Sequence, residues 1–406
     1  RLPPCLQSAT KRPQEREGMV MHELPATPWP SPASVAAPTD YPVRFLGTGS
    51  EYFRIWIVNL LLTIVTLGIY SAWAKVRRLK YMYRNTQIAD SSFDYHGSPI
   101  AILKGRLVAL VLLIAYNFSF QLSLIVGVVT LAFLAAIFPW LIRQSLRFRA
   151  RYSSYRGIHF QFVGGLAEIY LIAAPLIFFV LPFALLGFYA EDKAEPPVWL
   201  TALLGLATFI YLVLLPYLHY RFKRYQHGNT LLGSAVARFT ATAGNFYAVY
   251  GIVFAVSLGI GVIFSIVFAA AGAGIIGSGA DASTFGIGLL LLIIAIYAAY
   301  FLLFAAFVVL IQNRVWNHTT VGEVSFRSNA RVLPMARIYL VNIVLLIVTL
   351  GLFTPFAVIR SHKYRLQSVT AVTVTGMDQF LGSASVDQIA ATGEGAADLF
   401  DFDIGL

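Results

Sequence analysis

One arrangement recurs five times along the chain: an aromatic residue is followed, seven positions later, by a basic residue. Seven residues are two helical turns, so both side chains lie on one helix face, about 10 Å apart along the axis. An aromatic ring suits the membrane interface, and a long cation suits the lipid headgroups beyond it. The pattern therefore predicts a collar that binds anionic phospholipid. The aromatics are Trp73, Trp140, Tyr217, Phe307 and Phe356, and the bases are Lys80, Arg147, Arg224, Arg314 and Lys363.

The same pattern has a simpler interpretation, in which the aromatics form an interfacial belt and the bases only set the topology. Topology rules require positive charge but no fixed spacing, so this interpretation leaves the register unexplained. Four of the bases are followed by an aromatic residue, and only the fourth copy has Val315 instead.

A second pair of polar residues lies inside apolar segments. Asn59 and Asn342 occupy equivalent places, each seven residues before a Thr-Leu-Gly sequence. An amide in hydrocarbon needs a hydrogen-bond partner, and repeated units often place a binding site at their interface. We expect the two units to pack together, with both asparagines directed into the protein.

Other chemistry has little support in the sequence. Six of the seven histidines lie near the basic connectors, but none has a metal-binding spacing such as HExxH. The single cysteine, Cys5, excludes an internal disulfide. We find no P-loop, no GxGxxG before a helix and no nucleophile elbow. We therefore predict no enzyme and no catalytic, cofactor or metal site.

The composition places the chain among membrane proteins. Of its 406 residues 58% are hydrophobic and 12% are charged, and the mean hydropathy is +0.71. Soluble domains carry about 25% charged residues. The net charge of +11 could suggest nucleic acid, but 22 of the 30 Lys and Arg residues lie in five connectors between apolar segments. This distribution indicates membrane topology, with those connectors on the cytoplasmic side.

The elements that position these residues are repeated. Between Arg54–Tyr81 and Arg337–Tyr364, 14 of 28 aligned residues are identical, including the two Thr-Leu-Gly sequences. Short alternating segments that end in glycine follow the basic motifs, as in "FDYHG" and "FQFVG". Alternation of this kind predicts short β-strands at the cytoplasmic face.

The predicted fold is an all-α polytopic membrane protein with eight apolar segments and short cytoplasmic strands. If all five basic motifs are cytoplasmic, three pairs of segments form six full transmembrane helices. The two terminal segments then re-enter the same face, although eight spans with both ends outside remain an alternative. We assign residues 1–42 to a disordered leader, 43–376 to the membrane domain and 377–406 to an acidic disordered tail.

The run "FLGTGSEYFRIWIVNLLLTIVTLGIYSAWAKVRRLKYMYRNT" through "FDYHG" resembles the YjgN family of bacterial inner-membrane proteins, a domain of unknown function. The resemblance covers about residues 41–376 and is most specific at "TLGIYSAWAKVRR". It implies a multi-pass protein of the bacterial inner membrane and carries over no site residues.

Two classes of function follow. The first is a membrane-embedded binding or passive transport protein, pore-like or lipid-handling, with a polar cavity. The second is a non-transporting scaffold whose basic collar binds anionic lipid or a cytoplasmic partner. Neither involves nucleic acid, and the sequence gives no oligomeric state.

Overall fold

Helical hairpins alternate with pairs of short strands along the chain. The computed structural model describes residues 37–191, 195–278 and 282–391. The helices are α1 Gly49–Val65, α2 Ser71–Arg84, α3 Pro99–Leu122, α4 Leu124–Arg151, α5 Leu166–Glu191, α6 Val198–Gly228, α7 Ala243–Ser278, α8 Ala282–Asn317, α9 Val332–Val348, α10 Thr354–Gln367 and α11 Met377–Ala391. The strands are β1 Thr39–Pro42, β2 Arg44–Phe45, β3 Thr86–Ile88, β4 Ser91–Tyr95, β5 Ser153–Tyr155, β6 Ile158–Phe162, β7 Thr230–Leu232, β8 Ala235–Phe239, β9 Thr319–Val321, β10 Val324–Ser328 and β11 Val369–Thr373.

These strands form one antiparallel sheet that closes on itself. The sheet order is β1-β11-β10-β9-β8-β7-β6-β5-β4-β3-β2. Its two outer strands, β1 and β2, are consecutive in the chain, with only Val43 between them, and the amide of Val43 donates to Val369 O at 3.0 Å. One N-terminal segment thus pairs with β11 on one side and with β3 on the other. We call the resulting closed sheet the strand ring.

Side chains alternate between the inside and the outside of the ring, as strand geometry requires. The central residues of β4, β6, β8, β10 and β11 all line the inside; they are Phe93, Phe160, Ala237, Phe326 and Ala371. Their neighbours in sequence, such as His159, Val236 and Ser325, are exposed. The alternation that predicted the strands therefore also orients the ring.

Each helical hairpin returns to the ring from which it starts. The strands before and after α3–α4, for example, are β4 and β5, and these are hydrogen-bonded neighbours. The same holds for the two terminal hairpins, α1–α2 and α9–α10, because β2 pairs with β3 and β10 pairs with β11. A single crossing by either terminal segment is excluded, and with it the alternative of eight spans.

The prediction of an all-α protein with six full spans is wrong. The strands form one closed 11-stranded sheet, because edges left by separate short strands would expose unpaired backbone groups. Within the described residues five helices are long and apolar enough to cross a membrane, namely Pro99–Leu122, Leu124–Arg151, Val198–Gly228, Ala243–Ala270 and Gly286–Asn317. In α5 the described apolar stretch is Leu166–Leu176, and α9 is a shorter apolar helix.

The helices form a second closed circuit. Each of α1 to α9 packs against the next helix in the chain, and α10 packs against α1. Exposed leucine, valine and phenylalanine side chains cover the outer surfaces of these helices, as expected where lipid is the solvent. The five repeats thus correspond to five hairpins around a common centre.

The repeated Thr-Leu-Gly sequence makes the tips of the two terminal hairpins. The Thr66 hydroxyl donates to Leu62 O at 2.7 Å and accepts from the Tyr70 amide at 2.9 Å. The next two residues, Leu67 and Gly68, have positive φ angles of 50° and 92°. This left-handed backbone suits glycine and reverses the chain between α1 and α2. The same bonds and angles recur at Thr349 to Gly351.

We call the second helix of each hairpin, α2, α4, α6, α8 or α10, its inner helix. A hydroxyl residue lies where each inner helix ends and the next strand begins. In all five hairpins its side chain donates to the carbonyl four residues earlier, at 2.7–2.9 Å. This bond satisfies a carbonyl that the end of the helix would leave unpaired. The five residues are Thr86, Ser153, Thr230, Thr319 and Ser368.

The described ends of the chain differ in part from the assigned boundaries. Strand β1 begins at Thr39, ahead of the expected start at residue 43. Helix α11 occupies the first half of the expected tail, and its Met377, Phe380, Leu381 and Ala384 are buried against the ring. Residues 1–36 and 392–406 lie outside the described part of the chain.

The ring predicts a labelling pattern. In a Cys5→Ser background, cysteine at exposed ring positions 159 and 325 should resist an impermeant thiol reagent in intact spheroplasts, because the basic connectors place the ring in the cytoplasm. Cysteine at position 122, where the exposed Leu122 ends α3, should react. Labelling of position 159 from outside would contradict this orientation.

Candidate functional site

The predicted collar and a second set of residues lie on opposite faces of the inner helices. In a helix, residues two apart are separated by about 200° around the axis. Residues two positions after the collar bases point toward the ring or its centre; among them Gln226 and Arg149 line one cavity, and Trp316 lines another. Arg147, Arg224 and Arg314 therefore point away from that centre. The collar aromatics Trp73, Trp140, Phe307 and Phe356 are half-buried, and Tyr217 is 36% exposed.

The aromatic residue after the collar base has a structural role. The Tyr81 hydroxyl donates to Thr48 O at 3.0 Å and accepts from the Thr48 amide at 2.9 Å, immediately before α1. Tyr364 makes the same two bonds with Arg331, before α9. Tyr225 donates to Gly165 O at 3.1 Å. These bonds fasten the ends of α2, α10 and α6 to the start of the first helix of the same hairpin.

Asn59 and Asn342 are both buried, with 7% and 4% exposure, on helices α1 and α9. The Asn59 carbonyl oxygen accepts from Arg77 at 3.3 Å. Asn342 donates to Ala357 O at 3.2 Å and to Ser361 Oγ at 3.1 Å. Each asparagine therefore bonds to the second helix of its own hairpin. Among the described residues no hydrogen bond joins the two.

The two units differ at the matched arginine. Arg77 reaches Asn59, whereas its counterpart Arg360 lies over the Phe353 ring, 6.0 Å from its centroid. As a result, the buried Asn342 Oδ1 accepts no hydrogen bond from the described residues. The repeat conserves the position of the amide while changing its partner.

A polar cavity of about 440 Å³ lies between α1, α2, α10 and the start of α3. Three cations line it, Lys75, Arg78 and Arg106, and none of its lining residues is acidic. Arg106 also donates to Ser71 Oγ, at the first turn of α2. We call this cavity the basic pocket. Its other polar residues are Asn59, Thr63, Ser71 and Thr354.

The backbone adds to the positive potential of the basic pocket. Helices α2 and α10 begin at Ser71 and Thr354, and both residues line it. The amide groups at a helix N-terminus carry partial positive charge and favour an anion. Leu60 and Val358 line the same cavity and are exposed on their helices, so the pocket is open to its surroundings. The arrangement can bind an anionic group.

Burial and neighbouring charge both act on Lys75. Its pKa lies below the ordinary value, first because burial penalises the ammonium and then because Arg106, Arg78 and Arg149 repel it. Neither Lys75 nor Arg78 makes a hydrogen bond or ion pair with another described residue. An anion between these cations would offset the repulsion and raise the pKa of Lys75.

Among the described residues, no group of three His, Cys, Asp or Glu side chains could hold a metal ion. His96 Nε2 lies 2.9 Å from Ser154 Oγ, and His318 Nε2 lies 3.1 Å from Asn245 Nδ2. Both histidines therefore take part in hydrogen bonds between segments that are distant in the chain.

Sequence reasoning missed the basic pocket. Lys75 and Arg78 lie in the connector that supplied topology charges, and Arg106 follows the start of an apolar segment. The available signal was helical phase, because Lys75 and Arg78 lie two and five residues after Trp73, about 200° and 140° from the collar face. Only the packing of α1, α3 and α10 brings the three cations to one cavity.

A closed circuit of apolar helical hairpins, with inward-facing cations, defines a polytopic membrane protein. The chain belongs to the family described as bacterial protein of unknown function, DUF898, whose model matches residues 40–399.

Relatives with a recorded location support the same conclusion. The chain is 33% identical over 149 residues to the inner membrane protein YjgN of Salmonella typhimurium, covering 35% of this chain and 36% of the relative. It is 35% identical over 120 residues to inner membrane protein YjgN of Escherichia coli O157:H7, covering 29% and 30%. The matches thus span about a third of these relatives. No solved structure matches the chain.

These findings confirm the resemblance to the YjgN family and the location. The protein is a multi-pass protein of the bacterial inner membrane. The names of the relatives give a location and no activity.

Mutual repulsion in the basic pocket predicts a gain in stability when one cation is removed. Below its lowered pKa the charged Lys75 destabilises the fold, and the cost disappears as pH rises through that pKa toward the unfolded value. Lys75→Met should therefore raise unfolding stability at pH 7 by about 0.5 kcal/mol, read as a higher Tm. Lys363→Met on the collar face should give no gain. A lower Tm for Lys75→Met alone would contradict the repulsion.

Proposed function

We propose that this protein binds the anionic headgroup of a membrane phospholipid in the basic pocket, as a lipid-handling membrane protein. The observation that carries the proposal is a cavity of about 440 Å³ with three cations and no acidic lining residue. Uncompensated charge at a half-buried site costs stability, and a bound anion offsets that cost. The proposal involves no catalysis.

The position of the basic pocket favours lipid over a free solute. The apolar residues Trp56 and Leu60 of α1 line it beside the cations, and the exposed apolar side chains of α1 continue from Leu60 through Val65. A phospholipid meets both parts, because its phosphate suits the cations and its chains suit the apolar surface of α1. Passive movement of lipid or anion along this surface is the transport role compatible with the pocket.

The scaffold hypothesis is the second candidate, and the outward collar supports it. Arg224 and Lys363 are exposed at equivalent positions of two helices, where anionic headgroups would attract them by about 1 kcal/mol each. The two candidates use opposite faces of the same helices, so they can be separated by substitution.

Native mass spectrometry of the purified protein with phosphatidylglycerol tests the proposal. The double variant Lys75→Gln with Arg78→Gln should weaken retention of phosphatidylglycerol by about 2 kcal/mol, roughly 30-fold. Retention of phosphatidylcholine should be unchanged. Neither side chain makes a hydrogen bond to a described residue, so folding should survive, and the Tm checks this.

The matched control is Arg224→Gln with Lys363→Gln, which removes the same charge from exposed positions of the collar face. Its retention of phosphatidylglycerol should fall much less. The reverse order of effects would refute headgroup binding in the basic pocket and support the scaffold hypothesis.

A further inference from the structure

The inside of the strand ring contains an apolar chamber of about 250 Å³. The central residues of five strands line it. Three of them are phenylalanines, whereas Ala237 and Ala371 are small. The two alanines leave room that larger residues would fill. Protein interiors seldom leave such volume empty, and an apolar cavity of about 150 Å³ is enough to bind benzene.

Hydroxyl groups in the chamber wall are already committed. Thr86, Thr230 and Thr319 line the chamber, and each donates its hydroxyl to the helix carbonyl four residues earlier. Tyr155 donates to Ile88 O at 2.6 Å. A stable buried water needs two to four polar partners. Apart from the imidazole of His227, the polar side chains named here already donate within the protein, so the chamber suits an apolar occupant better than water.

Helix α11 closes the end of the chamber that lies away from the helical hairpins. Its Met377 and Phe380 line the cavity. The helix is held at the hairpin turns of the ring, where the Ser234 amide donates to Ala384 O at 3.2 Å and Arg156 pairs with Asp378. A ligand must therefore approach from the helix side.

A second cavity, of about 270 Å³, adjoins the chamber on the helix side. Phe93, Phe160 and Thr230 line both cavities, so the two share a wall. The second cavity is lined by Arg149 and Gln226 and by no acidic residue. We call it the anteroom.

The cation of the anteroom is available to a ligand. Arg149 is exposed and makes no hydrogen bond or ion pair with a described side chain. Next to it, Lys223 Nζ donates to Gln226 Oε1 at 3.0 Å and lies near enough to Arg149 to be repelled by it. The apolar chamber thus adjoins a cavity lined by one cation, Arg149, with a second cation, Lys223, next to it.

We propose that the chamber and the anteroom together bind a single-chain amphiphile with an anionic head, with its alkyl chain in the chamber and its head beside Arg149. A free fatty acid and a lysophospholipid share this chemistry. The two sites share no lining residue, although Arg149 lies close enough to Lys75 to repel it. The filling variant Ala237→Leu lies away from the basic pocket, so its failure would leave the phospholipid proposal intact.

Photocrosslinking can locate such a ligand. The probe is decanoic acid with a diazirine at the chain end, added to the full chain in phosphatidylcholine nanodiscs, with crosslinked peptides mapped by mass spectrometry. Crosslinks should fall on strand peptides within 319–326 and 366–371, in addition to the lipid-facing helices. A lysophosphatidylglycerol probe with the same diazirine chain is tested in parallel. The probe that gives more strand crosslinks, fatty acid or lysophospholipid, identifies the preferred ligand class.

Two pairs of variants test the two ends of the site. Ala237→Leu fills the chamber and should reduce strand crosslinks at least fivefold, whereas Val236→Leu on the outer face of the same strand should not. Arg149→Gln should reduce them at least threefold, whereas Arg224→Gln on the collar face should not. The Tm of each variant checks its folding, and helix crosslinks normalise the amount of probe in the bilayer.

A decylamine probe of the same length provides the charge control. Strand crosslinks equal to those of the acid would overturn the anionic head. Absence of strand crosslinks with both anionic probes, or strand crosslinks undiminished in Ala237→Leu, would overturn the chamber as the site.

Discussion

Closure of the strand ring is the constraint on which the other features depend. Strands of two to five residues have little stability as separate pairs, and their unpaired edges would attract other chains. The segment Thr39–Phe45 removes both edges by pairing with β11 and β3. Once the ring is closed, every helical hairpin must leave and return on the same side. This constraint determines the membrane topology and the circular order of the helices. It also determines which face of each inner helix points toward the ring and which points away from it.

Charge is distributed according to that geometry. The acidic residues of the described ring pair with cations on its rim, as Asp94 does with Arg84 at 2.9 Å and Asp90 with Arg44 at 3.3 Å. These exposed pairs are worth little individually, but they leave Lys75, Arg78 and Arg149 without acidic partners. Outward cations such as Arg224 and Lys363 are exposed, while the inward cations Lys75, Arg78 and Arg149 lie close enough together for repulsion. Uncompensated inward charge is typical of a binding site.

Residues that differ between the repeated copies line the basic pocket and the chamber. All five hairpins have a Thr or Ser hydroxyl at the helix end, and three share the tyrosine bond that fastens the hairpin base; these features stabilise the fold. Lys75 and Arg78 have Ile142 and Ser145 as their counterparts in the next copy, so the basic pocket occurs beside one hairpin. Likewise, Ala237 and Ala371 stand where three other copies have phenylalanine. A symmetric protein of this kind would have a filled ring and no distinct pocket.

The sequence by itself determined the membrane class, the family, the five repeats and the approximate positions of the strands. These properties are local, since hydropathy, period-two alternation and matched residues can be read along the chain. It also indicated that Asn59 and Asn342 occupy equivalent positions, and both are buried. The partners of those amides could not be read from the repeat, because Arg77 and Arg360 are matched residues that take different contacts.

Only the tertiary structure decided that the strands form a ring, that residues after Met377 close it, and that Arg106 joins Lys75 and Arg78. Each of these depends on contacts between residues far apart in the chain, such as Thr39 with Thr373 and Gly322 with Phe380. A periodic pattern states which face of an element is apolar or charged, but not what that face meets. Ring closure supplies that information, because it fixes the neighbours of every helix at once.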